Sequence, residues 1–146
     1  MKIAIGCDHR GFDLKQIIIN KISMLSHEIT DFGCFNKESV DYPDIAEKVA
    51  KEVSAGNYEQ GILICGTGIG MCIAANKIQG IRAALCEDVI AASRARKHNN
   101  ANVICLRGER SDIDAINDII TSYLSTCFEG GRHDRRIDKI RKLESH

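Results

Sequence analysis

Tryptophan is absent from this chain, proline occurs once, and the twenty basic side chains are matched by twenty acidic ones. A neutral balance leaves no global field to attract nucleic acid or an anionic membrane. Four Phe and three Tyr are too few for a base-stacking platform. No apolar run approaches the roughly 18 residues that a membrane span needs. The start, "MKIAIGCDH", reaches Asp8 and His9 too soon for the apolar core of a signal peptide. The seven cysteines are odd in number and scattered, with no CxxC pair, which argues against a disulfide framework and a zinc knuckle. Reduced thiols in a cytoplasmic protein are the expectation.

What is present is a regular alternation. "KIAIG" (2–6), "HEITDFG" (27–33), "GILIC" (61–65), "IRAALC" (81–86) and "NVICL" (102–106) read as strands. "FDLKQIIINKISML", "DIAEKVAKEVSA", "GMCIAANKI", "DVIAASRARKH" and "DIDAINDIITSYL" read as the helices between and after them. Strands one, three and five are nearly unbroken Ile, Val, Leu, Ala and Cys, as expected of strands covered on both faces. The pattern predicts right-handed crossovers and a three-layer α/β/α fold with a five-stranded parallel, Rossmann-like sheet. One domain spans 1–146, and 131–146 forms a charged helical tail that can leave the domain body. That tail, "GRHDRRIDKIRKLESH", holds six Lys or Arg against three acidic residues.

In open sheets of this kind ligands sit beyond the carboxyl ends of the strands. Strand one ends in "GCDHRG" and strand three in "CGTGIG", which places Asp8, His9, Cys65 and Thr67 on one edge. "GTGIG" is not a dinucleotide fingerprint, because Met71 stands where the third glycine or alanine belongs, and no P-loop lysine follows. Alternating glycines before a helix still let backbone N–H groups converge on an anion, either a phosphate or a developing oxyanion. Cys65 borders that loop and could serve as nucleophile or general base. Equally, it could be a small apolar residue closing a buried strand. Cys7, Cys34, Cys72, Cys86, Cys105 and Cys127 read as packing.

His9, beside Asp8, reads as a ligand contact. His98, in "RKHNNAN", is either a ligand group or an imidazole capping a helix end. His27, His133 and His146 receive no role. Arg132 and Arg136 are four apart on one helix face and fit a phosphate, although a solvated surface is the commoner use of such pairs. Five-residue strands hold the two edges of a sheet roughly 15–17 Å apart. Cys65 ends a strand, whereas His98 and Asn99 precede one. If both groups act on one substrate, the site is shared between two chains.

The segments "GCDHRGFDLK", "DYPDIAEKVA", "GILICGTGIGMCIAANK", "RARKHNNANV" and "FEGGRHDRRI" resemble the ribose-5-phosphate isomerase B family in content, order and spacing. This group of sugar-phosphate isomerases also includes galactose-6-phosphate and allose-6-phosphate isomerases. The resemblance runs from the first strand to about residue 140. It implies an aldose–ketose isomerase that interconverts ribose 5-phosphate and ribulose 5-phosphate, with no metal or organic cofactor. Cys65 would move the proton between C1 and C2. Some relatives use a Glu further along the loop, at the position of Met71. The amides of Gly66, Thr67, Gly68, Ile69 and Gly70 would hold the enediolate oxygen, with Thr67 assisting proton movement between O1 and O2. His98 would help open the furanose ring, with Asn99 beside it, and Asp8 would bind near the ring oxygen. His9, Arg132 and Arg136 would grip the phosphate, with Arg110 a further contact. Homodimers, or tetramers, with composite sites are implied.

Two departures stand out. "CLRGERSD" carries one extra residue after strand five, and Arg10 replaces a residue that is often small. A hexose 6-phosphate substrate and a non-catalytic phosphosugar-binding role are the competing readings. A thiol redox role lacks a resolving cysteine.

Overall fold

The computed structural model describes residues 1–110 and 112–144; His146 lies outside the described residues. Five strands form one sheet: β1 (Lys2–Cys7), β2 (Glu28–Asp31), β3 (Gln60–Cys65), β4 (Ala83–Leu85) and β5 (Val103–Arg107). Every pairing is parallel and the order is β2-β1-β3-β5-β4. Six helices accompany them: α1 (Phe12–Met24), α2 (Tyr42–Ser54), α3 (Ile69–Ala75), α4 (Val89–Asn99), α5 (Ile113–Ser125) and α6 (Arg132–Leu143). No helix among the described residues is long and apolar enough to cross a membrane.

The sheet separates two cores. One packs Leu14, Ile18 and Ile22 of α1 and Ile116, Ile119 and Ile120 of α5 against Ile3, Ile5, Ile62, Ile64 and Ile104. The other packs Ile45, Ala46, Val49 and Ala50 of α2 and Met71 and Ala75 of α3 against Ala4, Leu63, Val103 and Cys105. Alternate residues of β3 therefore serve opposite faces, and all six are buried. That double burial is why the central strands read as unbroken apolar runs. The edge strands are shorter than their sequence runs. β2 pairs only with β1 and β4 only with β5, so the residues flanking each pairing have no ladder to join.

Local chemistry sets the helix starts. The single proline, Pro43, sits in the first turn of α2, where its missing N–H is no loss. Asp88 caps α4 by accepting from Ala91 N at 2.7 Å. Lys15 is fully buried and pairs with Asp31 at 2.8 Å while donating to the Cys34 carbonyl. This contact pins the segment that leads from β2 to α2. At the opposite end, Tyr123 Oη bridges Gln60 Oε1 at 2.6 Å and the Ala101 carbonyl at 3.0 Å.

The charged tail does not leave the domain body. His133 and Ile137 of α6 are buried, and Glu144 accepts from Gly80 N at 3.0 Å. Two apolar positions four apart suffice to seat one face of an otherwise charged helix.

Candidate active site

β1, β3 and β5 are neighbours in the sheet although far apart in sequence, so the loops leaving their carboxyl ends meet. Gly108 N donates to the Cys65 carbonyl at 2.8 Å and Glu109 N to the Gly66 carbonyl at 3.3 Å. A cleft of about 780 Å³ opens over this junction. It is lined by Cys65, Gly66, Thr67 and Gly70 of the loop after β3, by Asp8, His9 and Arg10 after β1, and by the segment 39–44 with Ile69 and Ile73.

Cys65 is 4% exposed, and its Sγ accepts from Gly68 N at 3.1 Å, which fixes the sulfur over the loop. Gly68 has φ +77°, and a Cβ there would come within 2.6 Å of Leu85 Cδ1 and 2.9 Å of the Leu106 carbonyl carbon. Only glycine allows that left-handed turn to lie so close to β5. The N–H groups of Gly66, Thr67 and Gly70 have no hydrogen-bond partner among the described residues. Unpaired amides grouped beside a thiol are the elements of an oxyanion site. Thr67 Oγ1 accepts from Ile69 N at 3.2 Å and is otherwise open to the cleft.

Asp8 holds the 3-10 turn at His9–Gly11, its Oδ1 accepting from Arg10 N at 3.0 Å and Gly11 N at 3.2 Å. His9 Nδ1 accepts from Val40 N at 3.3 Å, which leaves Nε2 as the protonated donor of the neutral ring. Sequence reasoning missed the 39–44 wall. Tyr42 packs against Gly70 so closely that a Cβ there would sit 2.6 Å from the phenol ring. The run from Asp44 reads in the sequence as a helix, and residues 39–43 receive no role there.

The remaining predicted residues lie elsewhere. His98, near the end of α4, lines a separate cavity with Glu129. His133, assigned no role from the sequence, stacks on His98 with ring centroids 4.6 Å apart and planes 18° apart. Burial, then the His98 charge, holds His133 below the usual imidazole range. His98, Glu129 and His133 bring ligand-type atoms within 4.8 Å of one another. An ion in the plane of one stacked ring would lie off the plane of the other, so the pair as placed does not suit shared ligation, and His133 Nε2 is buried with no hydrogen-bond partner among the described residues. Asn99 is held by its carbonyl, which accepts from Arg82 Nε at 3.2 Å. Arg132 and Arg136 project from α6 into solvent. None of these four lines the Cys65 cleft.

Arg110 does not line it either. Its guanidinium grips Asp112 through two 2.6 Å contacts, which holds that carboxyl down to about 2, while Nη1 is buried without a partner. Cys72 is set apart from the other thiols: a hydrogen bond from Cys105 lowers it to about 7, whereas burial pushes Cys86 up to about 12.

Comparison with known proteins places this geometry. The family model described as Ribose/Galactose Isomerase matches residues 3–140. The "Ribose-5-P isomerase B" of Listeria innocua is 46% identical over 144 residues, 99% of this chain and 97% of that protein. The Clostridium thermocellum ribose-5-phosphate isomerase B structure aligns with a TM-score of 0.97 at 46% identity, covering 99% of this chain and 98% of that one. A Mycoplasma genitalium ribose-5-phosphate isomerase B structure with bound ribulose-5-phosphate aligns at 0.95 and 42% identity, covering 99% and 97%.

Proposed function

The chain belongs to the Ribose/Galactose Isomerase family, and on that premise we propose that it interconverts D-ribose 5-phosphate and D-ribulose 5-phosphate through an enediolate, with Cys65 as the base. The thiolate takes the C2 proton of the open-chain aldose. The electron pair moves into the C1–C2 double bond, and negative charge collects on O1. The amides of Gly66, Thr67 and Gly70, free of other partners among the described residues, would donate to that charge. Thr67 Oγ1 passes the O2 proton towards O1, and Cys65 returns its proton to C1, leaving the ketose. Asp8 and His9 hold the substrate, His9 through Nε2–H. Every step is a proton transfer, which side chains and amides supply.

The observation that carries this reading is the convergence of Cys65 Sγ, the unpaired loop amides, Asp8 and His9 on one cleft. Ring opening by His98, aided by Asn99, and phosphate binding by Arg132 and Arg136 require those side chains to reach the cleft. All four sit away from it on their own chain, so we propose a homodimer in which each site draws them from the second copy. Seven unpaired cysteines suit a reducing, cytoplasmic setting.

Initial rates on ribose 5-phosphate, allose 6-phosphate and galactose 6-phosphate test the assignment. A clear preference for the pentose is the expected result. Turnover of a hexose phosphate alone would keep the chemistry and overturn the substrate. Silence on all three with ligand binding intact would leave a phosphosugar-binding protein.

A further inference from the structure

The cleft of one chain is an odd place for an anion. Asp8, Asp41 and Asp44 line it, and Arg10 is the one permanent cation among its lining residues. The Arg10 backbone is fixed by Asp8, but its side chain is 62% exposed and reaches Glu109 Oε1 from Nη1 at 3.2 Å. Both groups hang over the loop beside Cys65. A Cβ on Gly66 would meet Arg10 Cδ at 3.0 Å, Glu109 Oε1 at 3.2 Å and Arg10 Nη1 at 3.5 Å. On the loop that carries Glu109, the other two guanidinium groups are already engaged: Arg107 with Glu87 at 3.3 Å and the Glu109 carbonyl at 2.7 Å, and Arg110 with Asp112.

We propose that Arg10 is a phosphate-binding residue of this site, with Glu109 as its resting counter-ion. The inference rests on the sugar-phosphate reading above. An exposed, single-contact ion pair is weak. A phosphate dianion offers a guanidinium two parallel acceptors and more charge than a carboxylate, so it displaces Glu109. Glu109 then acts as a competitor that tunes affinity, and it acts only through Arg10.

Inorganic phosphate is the probe, read both by calorimetry and as a competitive inhibitor of ribose 5-phosphate turnover. Arg10→Gln should raise the phosphate Kd and the KM in parallel, by about tenfold, with the loss falling on KM rather than kcat. Glu109→Gln should tighten phosphate by about threefold. The double variant should match Arg10→Gln alone, a non-additivity that a merely structural arginine would not produce. A phosphate Kd within twofold of the parent in Arg10→Gln would overturn the proposal. So would a Glu109→Gln effect that persists undiminished without Arg10. The calorimetric arm needs no turnover. If the parent fails to isomerise ribose 5-phosphate while Arg10→Gln still weakens phosphate, the substrate reading fails and the binding role stands. Both side chains are more than half exposed, so the variants are expected to fold.

Discussion

The two edges of the sheet each carry half of the proposed site, and they are built differently. At the carboxyl edge the reacting centre faces backbone: the loop amides after β3, set by Gly68 and pressed against β5, with the Cys65 thiol, the Thr67 hydroxyl and Asp8, His9 and Arg10 from the turn after β1. At the amino edge the working groups are side chains on helices: His98 and Asn99 on α4, and Arg132 and Arg136 on α6. The difference matches what each half would do. A developing oxyanion a bond away from the reacting carbon needs fixed dipoles that do not reorganise. A phosphate several bonds away needs charge and reach, which long arginines supply.

Removing the thiol cuts deepest into this comparison. Cys65→Ala should lower kcat by about 10³-fold, the loss of a general base, while ribose 5-phosphate binding persists. Steady-state rates with calorimetry check it; retention of more than a tenth of the parent kcat would move the base elsewhere. Mixing that variant with His98→Asn sharpens the comparison further. If the halves come from different chains, subunit exchange should create heterodimers with one intact site and restore about a quarter of the parent activity. A site built within one chain gives no recovery at any mixing ratio.

Two smaller effects separate the edges as solids. Tyr123→Phe leaves Gln60 Oε1 and the Ala101 carbonyl without their shared donor at the amino edge. It should cost about 1–3 kcal/mol in chemical denaturation. Thiol alkylation gives the finest contrast. Cys72, lowered to about 7 and partly exposed, should react with a rate that rises through neutral pH as its thiolate forms. Cys7 and Cys86, pushed up to about 12 by burial, should stay unmodified across that range. Cys72→Ser should remove the modification at position 72 alone, leaving that of the exposed Cys127, as read by site-resolved mass spectrometry.

Much of this was legible before any coordinates. Unbroken Ile, Val and Leu runs marked the central strands, and GCDH with CGTGIG marked the two strand ends that meet. The position of His98 before strand five placed it on the wrong edge for Cys65, and the fold bears that out. Other features lacked a local signal. The lengths of β2 and β4 depend on how much of each run finds a neighbour. The 39–44 wall depends on Tyr42 meeting a missing side chain at Gly70. His133 looked like one more charge-flanked tail residue, because only tertiary packing brings α6 onto α4 and one ring onto the other. The Arg10–Glu109 pair spans 99 residues of sequence, beyond any periodicity.

The strand order β2-β1-β3-β5-β4 also bears on how the molecule is made. On a ribosome β4 emerges with no partner, since its only neighbour is β5, and the far side of β3 stays open until the same strand arrives. Until residue 107 has cleared the exit tunnel, the nascent chain holds a three-stranded fragment and an orphan strand with two unsatisfied edges between them. The last strand to appear is the one that closes the sheet and, through Gly108 on Cys65, the floor of the cleft.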